Sequence, residues 1–176
     1  MGIPDIDYTD VASESLSVSP QQSNPIIAAL NVTGIITPST TSGIRGTTLA
    51  DEANAGSIGE FKTVTLGPTA VTSAVTTNVG STTLTAGDWE VVGVNNYVMT
   101  VGGVTFVYYG GTSTTSATLG PFGSYFQFQG QGSNILAIPP VRYNVSTSTT
   151  LYSVVNVSFG SGTCTVTSIV NMRRIR

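Results

Sequence analysis

From Phe61 onward, short runs of β-branched and aromatic residues recur between Gly, Pro and Asn, with alternating polar positions and no helical period. The predicted strands are Phe61–Leu66, Ser81–Thr85, Trp89–Asn95, Tyr97–Val101, Val104–Tyr109, Ser116–Leu119, Tyr125–Gln129, Asn134–Ile138, Val141–Val145, Thr150–Phe159 and Thr163–Arg174. Many short strands at such spacing predict an all-β fold, an antiparallel β-sandwich or barrel. The Gly102-Gly103 pair predicts a tight hairpin turn, because glycine reaches positive φ without a Cβ clash. Phe159-Gly160-Ser161-Gly162-Thr163 predicts a second. Ahead of that turn, Leu151, Val155, Val157 and Phe159 share one strand face, and Tyr152, Val154, Asn156 and Ser158 share the other. Neither face is charged, so the strand is expected inside a sandwich or under another subunit.

Residues 1–60 have a different texture. An acidic stretch carrying Asp5, Asp7, Asp10 and Glu14 leads to Asn24-Pro25 and the apolar run Ile26, Ile27, Ala28, Ala29 and Leu30. Asn then Pro fits a capped helix start, while Val32, Ile35 and Ile36 would equally continue a strand, and the run is too short to decide. A Thr/Ser/Gly loop follows. Nothing in this region could build its own core. The division expected is an N-terminal anchoring arm over 1–60, with Asp5, Asp7, Asp10, Ile26, Ile27 and Leu30 as its anchors, and a β-sandwich domain over 61–176.

Charge sharpens this picture. Charged residues are 9% of the 176-residue chain, against about 25% in an ordinary soluble domain. All acids fall within residues 1–90, and Arg142, Arg173, Arg174 and Arg176 face no acid in 91–176. Four arginines are too sparse for a nucleic-acid footprint. With one lysine in the chain, exposed strand edges lack their usual protection, so oligomerisation is expected to cover them. The C-terminal Arg173, Arg174 and Arg176 are candidates for pairing with acids of a neighbouring chain.

Candidate chemistry is thin. The chain has no histidine, and half of it has no carboxylate, so neither an acid–base pair nor a metal cage is expected there. Asp88 and Glu90 flank Trp89 and would share a strand face. Their expected role is a solvated turn and strand start around a core tryptophan, with an acid–base or Ca²⁺ role as the lesser reading. Asp51-Glu52 reads as a solvated turn or helix start. Cys164 reads as a small buried hydrophobe, and a single cysteine excludes an intrachain disulfide. Asn31, Asn144 and Asn156 sit in Asn-x-Ser/Thr triplets that read as chance. No signal-peptide pattern and no apolar run of membrane-spanning length is visible, so no membrane insertion is expected. Tyr108, Tyr109, Phe122, Tyr125, Phe126 and Phe128 cluster around Gly120-Pro121-Phe122-Gly123. Packing is their first reading. Tyr108, Tyr109, Phe122 and Tyr125 are the candidates for stacking on a glycan.

Several strings in order carry a resemblance: Gly56-Ser57-Ile58-Gly59-Glu60-Phe61, Leu84-Thr85-Ala86-Gly87-Asp88-Trp89-Glu90-Val91, Thr114-Thr115-Ser116-Ala117-Thr118-Leu119, Pro139-Pro140-Val141-Arg142-Tyr143, Thr149-Thr150-Leu151-Tyr152 and Met172-Arg173-Arg174-Ile175-Arg176. Over residues 46–176 the chain resembles a C-terminal domain of bacteriophage and prophage virion proteins. The Ala-Gly-Asp-Trp-x-Val piece is similar to a strand of trimeric jelly rolls of the complement and tumour-necrosis-factor type. The resemblance implies a trimeric jelly roll on a virion surface, non-catalytic and without cofactor. The function it implies is a capsid decoration protein or head fibre docked on the capsid or another virion protein through the arm, or alternatively a tail-fibre tip that attaches to a host-surface glycan. Sixty residues without a repeat leave no room for a fibre shaft.

Overall fold

A computed structural model of the chain describes residues 53–100 and 106–176. The arm anchors Asp5, Asp7, Asp10, Ile26, Ile27 and Leu30, the Asp51-Glu52 pair and the Gly102-Gly103 turn lie outside the described residues. The described part is all-β. Eight strands follow one another: β1 Phe61–Val71, β2 Thr77–Leu84, β3 Gly87–Thr100, β4 Phe106–Ser113, β5 Tyr125–Gly130, β6 Asn134–Val145, β7 Thr149–Ser158 and β8 Thr163–Arg174. They form two antiparallel four-stranded sheets, ordered β1-β8-β3-β6 and β2-β7-β4-β5. The pairs β1·β8, β2·β7, β3·β6 and β4·β5 nest within one another, so the described strands follow the pairing of one long hairpin folded into two layers. The pairs β3·β8 and β4·β7 close the layers.

The expected hairpin between β7 and β8 is present, with Gly162 at φ 91°. Two predicted breaks are absent. Trp89–Asn95 and the described part of Tyr97–Val101, residues 97–100, belong to one 14-residue strand, β3, because Asn95 is a core residue whose side chain finds partners inside. Asn134–Ile138 and Val141–Val145 are likewise one strand, β6, running through Pro139-Pro140. Both prolines sit on a sheet edge where Val91 pairs Val141 and Gly93 pairs Ile138, a bulge that needs no N–H from them. The predicted strand Ser116–Leu119 is a correction. That segment is a loop between β4 and β5, with Ala117 at φ 49° and its amide donating to Asn78 Oδ1 at 2.7 Å.

Edge protection also differs from expectation. The β1 edge bulges at Gly67-Pro68, where Gly67 takes φ 87°, the β6 edge bulges at Pro139-Pro140, and the β2 edge bulges at Val79. Prolines and bulges replace the missing lysines. The inference from bare edges to an oligomer therefore loses its premise on three of the four edges.

Between the sheets the core has two apolar clusters. One gathers Tyr97, Phe106, Tyr108, Val155 and Cys164, and the other Leu84, Trp89, Val91, Leu151 and Met172. A chain of hydrogen bonds bridges the sheets. Ser153 bonds Ser168 at 2.7 Å, Ser168 donates to Asn95 Oδ1, Asn95 Nδ2 donates to the Tyr97 hydroxyl at 3.2 Å, and Tyr97 donates to the Tyr109 carbonyl at 3.1 Å. All four side chains are buried. A satisfied buried chain of this kind fixes the register of one sheet over the other, since a slip would strand its donors.

Candidate functional site

Two places carry the polar and aromatic side chains singled out by the sequence. The first is the end of the sandwich where β3 begins and β8 finishes. Trp89 faces inward and is fully buried, as expected, and its indole N–H donates to the Thr85 carbonyl at 2.9 Å. Arg174, on the last inward position of β8, is 5% exposed. Its Nε donates to Glu60 Oε2 at 3.0 Å, Nη1 to the Ala86 carbonyl at 2.7 Å and Nη2 to the Thr85 hydroxyl at 2.6 Å. The expectation of an inter-chain role for Arg174 is corrected, because every guanidinium nitrogen is bonded within the chain. Residues just before β1 share this end: the Gly59 amide donates to the Arg174 carbonyl at 2.9 Å and the Arg174 amide to the Glu60 carbonyl at 2.8 Å.

Glu60 is buried in that network. Burial alone would raise its carboxyl pKa, but the Gly56 amide, donating at 2.8 Å, and the Lys62 and Arg174 cations outweigh it and hold the group at about 2. Lys62 Nζ lies 3.0 Å from Glu60 Oε1, and this close polar contact, with the charge it brings, helps lower the carboxyl.

Asp88 is a second correction. It shares the outer face with Glu90, as expected, yet it is buried rather than solvated, because Arg142 and Arg176 lie over it. Arg142 Nε donates to Oδ1 at 2.8 Å, and Nη2 bonds Oδ2 in a fork. That hydrogen-bonded fork, stronger than the burial opposing it, holds the Asp88 carboxyl below its ordinary range. Arg176 Nε stands 3.7 Å from Asp88 Oδ2. A carboxylate locked this way is a poor proton donor. Arg173 is exposed and pairs in register with Glu90, which in turn pairs with Arg142, giving a row of alternating charge across three strands.

The second place is the aromatic cluster, which the fold divides. Tyr108 is fully buried, its hydroxyl donating to the Gly132 carbonyl, so its ring is not on a surface. Tyr109 and Tyr125 pair across β4 and β5 with ring centres 6.2 Å apart, half-buried on the outer face of their sheet. Phe126 packs on Tyr97, and Phe122 stands 97% exposed at the tip of the β4–β5 loop. Of the four candidates for stacking on a glycan, three therefore reach solvent.

Among the described residues no group of three or more His, Cys, Asp or Glu is placed to hold a metal ion, and no helix is long and apolar enough to cross a membrane. The Glu60–Arg174 pair escaped sequence reading because its members are 114 residues apart; Gly56–Phe61 and Met172–Arg176 each carried a resemblance, but nothing linked them. The chain matches no protein-family model, and no curated protein is significantly similar to it.

Proposed function

We propose that the protein is a non-catalytic structural component of a phage virion, a compact homotrimeric surface appendage of the capsid-decoration or head-fibre kind. The nested strand pairing is that of a jelly roll, an architecture shared by viral capsid and lectin domains. One observation carries the assembly part of this reading. The outer face of the β1-β8-β3-β6 sheet presents Val92 and Val98 from β3, Ile135 from β6 and Ile169 from β8, all exposed, with no charge among them. The Arg142–Glu90–Arg173 row borders this patch. An apolar sheet face rimmed by charge suits contact with sister chains. In this reading the arm over residues 1–60 docks on the capsid or another virion protein.

The described carboxylates fit a non-catalytic role. Glu60 and Asp88 are tied to arginines, and Glu90 lies on an open face opposite Arg142 and Arg173. A second reading, a tail-fibre tip that attaches to a host glycan, is favoured by the solvent-exposed Phe122 at a loop tip. Imaging particles with the full chain and with residues 1–45 deleted tests the proposal: the deletion is expected to leave a soluble trimer and empty positions on the particle. Full occupancy by the deleted chain would overturn arm-mediated docking.

A further inference from the structure

A cleft of about 360 Å³ opens between the loop that joins β4 to β5 and the inward side of edge strand β6. That volume is at the low end of small-molecule sites, which run roughly 300–1,000 Å³. Two kinds of wall enclose it. Hydroxyls of Thr112, Ser113, Thr115, Thr118, Ser124 and Tyr143 supply one, and Leu119, Pro121 and Val141 supply the other. No charged side chain lines the cleft.

Thr118 and Ser124 donate their hydroxyl hydrogens to the Ser116 and Pro121 carbonyls, at 3.1 and 2.7 Å, and keep only acceptor capacity, whereas Ser113 and the Thr112–Tyr143 pair keep a donor. Thr112 and Tyr143 share one hydrogen bond of 2.9 Å, which uses one of their two hydroxyl hydrogens. Ser113 Oγ accepts the Thr115 amide at 3.1 Å, and its own hydrogen has no acceptor among the described residues. Thr112 is fully buried and holds the Tyr143 hydroxyl from behind, and Ser113, 5% exposed, is fixed by the fold rather than free to turn on a flexible surface. Phosphate, carboxylate and ammonium ligands would find no counter-charge here, and desolvating them would go uncompensated. A purely apolar ligand would strand the hydroxyls.

We infer that this cleft binds a neutral saccharide. Ser113 and Tyr143 exchange hydrogen bonds with ring hydroxyls, and Leu119, Pro121 and Val141 meet the C–H face of the same ring. The inference stands apart from the virion reading, since it uses only the walls of the cleft.

Titration of the isotopically labelled full chain with glucose, galactose and N-acetylglucosamine, followed by amide chemical shifts, tests it. At least one sugar is expected to give saturable shifts at Ser113, Thr115, Thr118 and Tyr143. Tyr143→Phe is expected to weaken binding about tenfold, the loss of one good hydrogen bond. If that variant does not fold, Ser113→Ala and Thr118→Val carry the test, with Gln127→Ala on the outer sheet face as the unaffected control. Absence of saturable shifts with all three sugars would overturn the inference, as would shifts confined to Tyr109, Phe122 and Tyr125, or equal shifts with sodium sulfate.

Discussion

The guanidinium carbon of Arg174 lies 4.4 Å from the centre of the Trp89 ring. Both side chains are buried, and the bonds of Arg174 to Glu60, Thr85 and Ala86 fasten the final strand to the chain before β1 and to the turn before β3. A desolvated cation over an indole contributes about 2 kcal/mol. The larger consequence is positional, because one side chain holds three distant segments at one end of the sandwich.

Breaking this clasp from one side is expected to be costly. Arg174→Met leaves the Glu60 carboxylate buried with Lys62 as its one nearby cation and the Gly56 amide as its donor, and is expected to lose about 3–5 kcal/mol in urea unfolding. The Arg174→Met/Glu60→Gln double variant is expected to lose less than the sum of the singles, the mark of direct coupling.

Acid stability follows from the same carboxylate. The Glu60 pKa is held at about 2 against an ordinary 4.5, so its contribution is full above pH 4.5 and is lost as pH falls through about 2. Glu60→Gln is expected to be less stable at neutral pH and to show a shallower loss between pH 4.5 and 2, read from denaturant midpoints at each pH.

Close backbone approach sets a third prediction. A Cβ on Gly93 would meet the Ile169 carbonyl oxygen at 2.3 Å and the Val170 Cα at 3.2 Å. Gly93→Ala is expected to destabilise by about 1–3 kcal/mol, as overpacking does, while an alanine at exposed Gln127 leaves the thermal midpoint unchanged.

Strand type was legible because β-branched and aromatic runs with Gly and Pro punctuation leave few other folds. Trp89 and Cys164 were legible as core for the same local reason. Strand length was not: Asn95-Asn96 and Pro139-Pro140 look like breaks, yet a core hydrogen-bond chain absorbs the first asparagine and an edge bulge absorbs the prolines. Asp88 and Arg174 read as surface charges because their partners, Arg142 and Glu60, are distant in sequence. Tyr108 differs from Tyr109 only in which side of β4 it takes, and a register fixed by pairing with β5 and β7 decides that.

Cys164 sits in the core, where burial pushes its thiol up from 9.0 to about 11. Ellman's reagent is expected to leave it unmodified in the native protein at pH 8 and to titrate it fully in urea. Fast native labelling would mean that the β8 strand opens.

The outer face of the β1-β8-β3-β6 sheet, with Val92 and Ile169 at its centre, is the surface on which the proposed assembly rests. Sedimentation equilibrium of the full chain at micromolar concentration tests this most directly. A trimer gives a mass three times the 18.1 kDa of one chain, and Val92→Lys/Ile169→Lys is expected to bring it down to that of one chain. A wild-type chain that sediments at 18.1 kDa would contradict the proposed assembly.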